Sequence, residues 1–211
     1  MIIEDVLQFL LQMSMSKNQM LRDIQQLRPL LKPLKELLIP FSKEEIELLS
    51  ISNNIQKKSN RFTPITLGFF TTIFHENVIA YATKQYRSNQ SLTIICTSKD
   101  EFVYVEKDGT ITTYFNDIAT GYISADGALK TPKGETQAII KGEDVRALHQ
   151  VIVNGIEIGY LRNPRYGSKI QQRAFEWYVD MDESNLYWFL TLCLINLVQE
   201  SFLPKLKSED D

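Results

Sequence analysis

The chain has 211 residues, of which 44% are hydrophobic, and its formal net charge at pH 7 is −3. This length suits one domain, or one domain with an extension, and the hydrophobic fraction is that of an ordinary packed core. Bulk nucleic-acid binding requires a basic domain, so the slightly acidic composition argues against it and no nucleic-acid partner is expected.

Three features of the sequence bear on cellular location. Cys96 and Cys193 each lie in an apolar run and are expected to be buried thiols rather than a disulfide framework. Glu4 and Asp5 stand where a secretory signal needs positive charge. No apolar run reaches the roughly 20 residues that cross a bilayer. The sequence therefore predicts a soluble, cytoplasmic protein.

Residues 1 to about 38 carry apolar side chains at the three- and four-residue spacing of an amphipathic helix. Polar residues near 14–19 leave open whether this region is one helix or two. Pro29 and Pro33 are expected to kink or restart the helix, and Pro40 to end it. The apolar stripe must be buried, either on the rest of the chain or on a second chain. A homodimer or a protein partner held by these helices is therefore one prediction.

Ser42 and Glu45 form a capping box, which predicts a short helix ending near Leu49. The polar residues 52–61 that follow are interpreted as a linker. We therefore predict a helical extension and linker over 1–60, a β-rich domain with a C-terminal core helix over 61–203, and a polar tail over 204–211.

From residue 62 to residue 179 the pattern is that of strands, rich in β-branched and aromatic residues. Strands are expected at Phe69–Phe74, Val78–Tyr86, Leu92–Thr97, Phe102–Glu106 and Thr110–Phe115. Asp108-Gly109 is a strong type I′ turn between the last two of these. Short strands separated by turns every 8 to 12 residues are typical of an antiparallel sandwich or barrel.

Two segments of this region align without gaps: Phe115–Ser124 (FNDIATGYIS) and Val153–Arg162 (VNGIEIGYLR). Both place Asn where a turn needs a positive φ, and Gly where a close approach is needed. They are either two generic hairpins or one duplicated β-unit.

The stretch Leu186–Val198 (LYWFLTLCLINLV) is apolar except for Thr191 and Asn196. It is too short to span a bilayer and too apolar on all sides for a surface helix, so other elements must surround it. Asp180–Asn185 supplies candidates for the helix cap and Pro204 ends the helix. The predicted fold class is α+β: an antiparallel β-barrel or strongly curved sheet around an apolar C-terminal helix, with an N-terminal helical extension.

The paired hairpins NDIATGYI and NGIEIGYL, the segment Arg173–Trp177 and the apolar C-terminal helix together resemble the tubby-like superfamily. This superfamily includes tubby C-terminal domains, phospholipid scramblases and the LURP-one-related proteins. The resemblance covers about residues 65–203. It implies a barrel that surrounds a buried C-terminal helix, and a binding or membrane-associated role without a shared catalytic site. It brings no binding motif that can be transferred residue by residue.

No motif for catalysis, metal binding or a cofactor is found in the sequence. The two histidines, His75 and His149, lack a local catalytic signature, and Cys96 and Cys193 lack metal-ligand spacing. Nucleotide-binding glycine motifs are absent. We predict no catalytic residue, metal ligand or cofactor.

One basic segment is a candidate site for an anion or an anionic phospholipid. Its members are Arg162, Arg165, Tyr166, Lys169 and Arg173, with no acid between Glu157 and Glu176. Guanidinium groups in a loop suit phosphate oxygens, and four charges favour an anionic membrane surface. The alternative is a solvated loop whose arginines pair with acids elsewhere.

Three functions are consistent with the sequence. The leading one is a non-enzymatic binding or protein-interaction module. The second is a tubby-like protein that binds anionic phospholipid through the basic segment. The third is an enzyme with a dispersed site, which would require a deep polar pocket with converging carboxylates or His149.

Overall fold

The computed structural model describes residues 16–58, 64–86, 90–142, 147–166, 172–176 and 179–203. Within these ranges, two helices precede the strands, α1 (Lys17–Lys35) and α2 (Lys43–Leu48), and one follows them, α3 (Glu183–Glu200). The strands are β1 (Leu49–Lys58), β2 (Ile65–Thr72), β3 (Asn77–Gln85), β4 (Ser91–Cys96), β5 (Glu101–Lys107), β6 (Thr110–Phe115), β7 (Ile118–Ile123), β8 (Ala128–Lys130), β9 (Thr136–Lys141), β10 (Leu148–Val153), β11 (Ile156–Arg162) and β12 (Phe175–Glu176).

The twelve strands form one antiparallel sheet in chain order, and the sheet nearly closes on itself. At the seam the Ile51 N–H donates to the Gln172 carbonyl at 3.0 Å, and the Ala174 N–H donates to the Leu49 carbonyl at 2.6 Å. Near-closure leaves few unpaired backbone groups at the sheet edge. The predicted α+β fold, with a barrel around a C-terminal helix, is confirmed.

Helix α3 runs through the interior of the barrel. Asp182 caps its start, where its carboxylate accepts from the Asn185 N–H at 2.7 Å. Nine of its 18 residues are buried, and the apolar ones among them, such as Cys193 and Leu194, pack in the core that the inward-facing strand residues share. The Tyr104 hydroxyl donates to the Thr191 carbonyl at 2.8 Å. An apolar helix is stable here because its middle part, Phe189–Ile195, is buried on all sides within the core of the barrel.

Helix α1 covers the outer face of the barrel over β3 and β4. Leu27 and Leu31 pack on outward-facing Leu92 and Ile94, which makes a second hydrophobic core. Alternate residues of β4 therefore serve opposite cores, and all six are buried. The apolar stripe of the described part of the helix is buried on this chain.

Pro29 and Pro33 were expected to kink or restart the first helix. They do not break it, because one helix runs continuously through both prolines. Both lie on the exposed side of α1. Water can bind the carbonyls that the prolines leave without a donor there, and the buried leucines hold the helix in place. The question of one helix or two concerns residues 1–15, which lie outside the described residues.

The prediction of a linker over 52–61 is wrong for residues 52–58, which belong to β1. This strand pairs with β2 from Asn53 opposite Phe70 to Lys58 opposite Ile65. Asn54, Ile55 and Gln56 are exposed, so the strand lacks the regular apolar alternation by which strands are detected. Backbone hydrogen bonds to β2 do not depend on side-chain polarity.

The two aligned hairpins share their turn and an irregularity in their pairing. Asn116-Asp117 and Asn154-Gly155 both have positive φ at the two central positions, as a type I′ turn requires. In each hairpin the pairing then shifts by one residue, which leaves Thr120 and Ile158 without a cross-strand partner. Because a generic turn does not require a bulge at the same position, the structure favours a duplicated unit.

Candidate functional site

Helix α3 leaves a cavity at each end of the barrel. The upper end is defined here as the one where α3 begins, beside the turns at 116–117 and 154–155; there the Asn154 side-chain amide donates to Asn185 Oδ1 at 2.7 Å. The lower end is the one where α3 ends, beside the turns at 108–109 and 124–127.

The barrel interior changes from apolar to polar towards the lower end. Successive residues of a strand point to opposite faces, so a residue two positions from an inward-facing one also points inward. Tyr104 of β5 and Val151 of β10 belong to the interior core. Glu106 and His149 therefore face the interior as well. The same alternation places Thr83, Ser91 and Thr93 inside, and the Thr83 and Thr93 hydroxyls are hydrogen-bonded at 3.1 Å.

The lower cavity has a volume of about 310 Å³ and lies between these strands and the last turns of α3. Its described polar side chains come from three elements, β5, β10 and α3, and from the loop after β7; they are Glu106, Ser124, His149, Asn196, Gln199 and Glu200. The last three follow the i, i+3, i+4 spacing that puts residues on one face of a helix. Two carboxylates, an imidazole and two amides thus converge on one space.

Local contacts orient the groups of the lower cavity. The Ser91 hydroxyl donates to Glu106 Oε2 at 2.7 Å. His149 is 7% exposed and lies against Gly142, where an added Cβ would be 2.5 Å from His149 Cδ2. Asn196 Oδ1 is buried and accepts no hydrogen bond from the described part of the chain. Such an acceptor suits a ligand that donates a hydrogen bond.

The upper cavity is larger, about 470 Å³, and mostly apolar. Its apolar walls are Phe102, Phe115, Ile118, Leu186, Tyr187 and Leu190. The ring centroids of Phe115 and Tyr187 are 4.9 Å apart with the rings nearly perpendicular. Burial raises the pKa of the Tyr187 hydroxyl, and the nearby hydroxyls of Thr120 and Thr191 offset part of that rise.

Two carboxylates, those of Asp100 and Glu183, also line the upper cavity. Asp117 lies beside the cavity-lining Ile118, but it is ion-paired with Arg28 of α1. The hydrogen bond from Arg28 to Glu101, at 2.6 Å, and the pair with Asp117 raise the pKa of the arginine, although burial opposes the rise. The charge at the upper cavity is therefore negative and comes from Asp100 and Glu183.

The structure separates the members of the predicted basic segment. Arg162 of β11 is ion-paired with Glu176 of β12, and burial lowers its pKa. Arg165 and Tyr166 are half-buried in a short 3-10 turn. Arg173 is exposed beside the seam, where its backbone bridges to Ser50. At Arg162, the alternative of an arginine paired with an acid is what the structure shows. Lys169 lies outside the described residues.

No family model, curated protein or solved structure matches this chain.

Among the residues that the structure describes, each helix is too short or too polar to span a bilayer. Within the same ranges, no three side chains of the His, Cys, Asp and Glu types are grouped so that they could hold a metal ion.

No local motif marks the polar cavity residues in the sequence, and His149 stands out there only as an isolated histidine. A signal was present, because Glu106 and His149 stand at inward positions of strands whose other inward residues are apolar. Asn196 likewise interrupts an otherwise apolar helix. What the sequence lacked was the pairing that brings β5, β10 and the end of α3 around the same space.

Proposed function

We propose that this chain is a non-enzymatic binding protein, which receives an apolar group carrying a positive charge in the upper cavity. The observation that supports this function is the composition of the cavity. Aromatic and aliphatic walls enclose about 470 Å³, and the two carboxylates that line it belong to Asp100 and Glu183. Ligand sites are typically roughly 300–1,000 Å³, mostly apolar, with a few polar groups that orient the ligand.

The chemistry of the thiols supports a non-enzymatic role. Cys96 and Cys193 are both buried. Burial raises the pKa of the Cys96 thiol to about 12 and that of Cys193 well above its ordinary value. A thiol in that state is a poor nucleophile at neutral pH, since the reactive form is the thiolate. The lower cavity, which holds His149, supports the enzymatic alternative more directly than any feature of the upper cavity does.

Displacement of a neutral apolar fluorophore tests the proposed function. We expect dodecylammonium to displace it at lower concentration than dodecanoate, because the carboxylates favour a cationic head group. The double variant Asp100→Asn/Glu183→Gln should remove this preference. If neither amphiphile displaces the fluorophore, or if dodecanoate is preferred, the proposal is wrong.

The two aligned hairpins provide a matched pair of variants. Ile118 is 68% exposed and lines the upper cavity, whereas its equivalent Ile156 is 56% exposed and lies outside the cavity lining. Ile118→Ser should weaken displacement several-fold, and Ile156→Ser should leave it unchanged. Equal effects would indicate that general surface hydrophobicity, not the cavity, binds the probe.

Binding of anionic phospholipid through the basic segment is a second proposal. The exposed Arg173 supports it, whereas the pairing of Arg162 with Glu176 reduces the available charge. The protein should then co-sediment with liposomes that contain anionic lipid at low salt, and the Arg173→Glu variant should not. Equal binding of the wild type to neutral liposomes would contradict this proposal.

Self-association, tubby-like membership and a cytoplasmic location also stay proposals. The barrel around an apolar C-terminal helix supports the resemblance, and the buried thiols are compatible with a reducing compartment.

The described apolar stripe of α1 packs on the barrel, so an association surface would have to use exposed side chains such as Leu21 or residues 1–15. Sedimentation of the full chain at micromolar concentration distinguishes monomer from dimer.

A further inference from the structure

In the lower half of the barrel interior, charged and polar side chains stand at inward-facing positions; in the upper half, apolar side chains occupy them. Glu106 is two residues from Tyr104 along the inner face of β5, and His149 is two residues from Val151 along that of β10. A polar group removed from water costs stability unless it is hydrogen-bonded, and a charge costs more. A polar interior layer next to a cavity is therefore typical of a binding site.

The charges around this cavity have one sign. Its described lining contains the carboxylates of Glu106 and Glu200 and contains neither lysine nor arginine. The remaining polar groups are the imidazole of His149, the amides of Asn196 and Gln199 and the hydroxyl of Ser124. Such a space favours a positively charged occupant, since a carboxylate attracts a cation more strongly in a partly enclosed cavity than in open water.

The hydrogen-bonding capacity of the cavity specifies the occupant further. Asn196 Oδ1 is a buried acceptor that receives no hydrogen bond from the described residues. Glu106 receives one, from Ser91, and an ionised carboxylate can accept several. A ligand with several N–H donors satisfies these acceptors, whereas a carboxylate or phosphate ligand would not.

We infer that the lower cavity binds a small organic cation, through an ammonium or guanidinium group held by Glu106, Glu200 and Asn196. Its volume of about 310 Å³ is near the lower limit for small-molecule sites, which suits a ligand of a few carbon atoms. His149 and Gln199 form polar walls that can contact the rest of the ligand. This site is separate from the upper cavity, and it stands or falls independently of the function proposed above.

Calorimetric titration with agmatine and putrescine tests this site, with the neutral N-butylurea as a control for shape. We expect both cations to bind and the urea not to bind. Glu106→Gln should reduce agmatine affinity by roughly tenfold or more, because a charge-assisted hydrogen bond becomes a neutral one. Glu135→Gln removes the same charge from an exposed position outside the cavity and should leave the affinity unchanged.

Two results would overturn the inference. One is the absence of agmatine binding by the full chain at millimolar concentration. The other is a preference for Mg²⁺ or Ca²⁺ over agmatine, which would make this a metal site. Thermal melting of Glu106→Gln checks that the variant is folded. If it is not, the milder variant Asn196→Ser should weaken agmatine binding in its place. Ile118→Ser should leave agmatine binding unchanged, so this test and that of the upper cavity fail separately.

Discussion

Lys84 Nζ of β3 donates a hydrogen bond to Asp23 Oδ1 of α1 at 2.6 Å, and both residues are buried between the helix and the barrel. The same carboxylate also accepts from the Tyr86 hydroxyl and from Gln19 Nε2 at 3.0 Å. Burying a charge is tolerable only when such partners are complete. This ion pair thus fixes the position of α1 along the outer face of the barrel, within an otherwise apolar contact.

Removing the lysine alone should therefore lower the free energy of unfolding more than removing both members of the ion pair. We expect Lys84→Met to lower the free energy of unfolding by about 3–5 kcal/mol, because it leaves Asp23 as a buried charge without its cation. The double variant Asp23→Asn/Lys84→Met should recover most of that loss. Denaturant unfolding of the four proteins of this cycle measures the coupling. Additive effects would show that the pair does not act as a unit.

A charge in the middle of α3 should prevent folding. Leu194 is buried against the inner face of the barrel, so Leu194→Asp would place a carboxylate in the core without a partner. Leu194→Ala should cost about 2–5 kcal/mol, and Leu194→Met should cost less than about 1.5 kcal/mol. Circular dichroism and denaturant unfolding measure the series. A folded Leu194→Asp protein would contradict the burial of this helix.

The close approach of β7 to β8 depends on a glycine. A Cβ on Gly121 would lie 2.0 Å from the Lys130 carbonyl oxygen, a backbone atom that cannot move aside alone. Gly121→Ala should thus destabilise the protein by more than Gly109→Ala. Gly109 has a φ of 76° but nothing within 4 Å of its Cβ position, so its substitution should cost about 1 kcal/mol. Equal losses in denaturant unfolding would show that the Lys130 contact is relieved by a small shift.

Alkaline pH should destabilise the barrel through Tyr81. Burial raises the pKa of this tyrosine to about 12, although hydrogen bonds with Asn53 and Ser201 oppose the rise. The unfolded pKa is about 10, so the contribution is fully present below about pH 10 and is lost as the pH rises through about 12. This difference between the folded and the unfolded pKa of Tyr81 corresponds to roughly 2–3 kcal/mol of stability.

The measurement is the free energy of unfolding between about pH 8 and about pH 12, together with the ultraviolet absorbance of tyrosinate. Tyr81→Phe should decrease the slope of stability against pH, without abolishing it, because burial also raises the pKa of Tyr86 and Tyr104. An unchanged slope in Tyr81→Phe would contradict the assignment to this residue.

Much of the fold was predictable because its causes are local. The capping box at Ser42 and Glu45 is present, and Asp182 caps α3 within the predicted segment. Asp108-Gly109 adopts the expected turn, since both residues have positive φ. In contrast, β1 was missed because its strand conformation is stabilised by pairing with β2 and not by its own side-chain pattern.

The candidate sites were much less predictable than the fold. Arg162 stands out in the sequence as part of a basic run, yet Glu176 neutralises it across a strand pair. Glu106 is inconspicuous in the sequence, yet it faces the interior beside α3. Whether a charge is paired with an acid or lines a cavity depends on neighbours that are distant along the chain, and no local pattern reports them.

The sequence by itself determined the caps of α2 and α3, the type I′ turns, the central strands and the need to surround an apolar C-terminal helix. These follow from backbone preferences and from the free energy of removing apolar surface from water, which act within short segments. Only the tertiary structure decided that α1 packs outside the barrel through Asp23 and Lys84, and that α3 leaves a polar and an apolar cavity at opposite ends. Those features arise when strands far apart in the chain close around one helix, because closure fixes which side chains share a space.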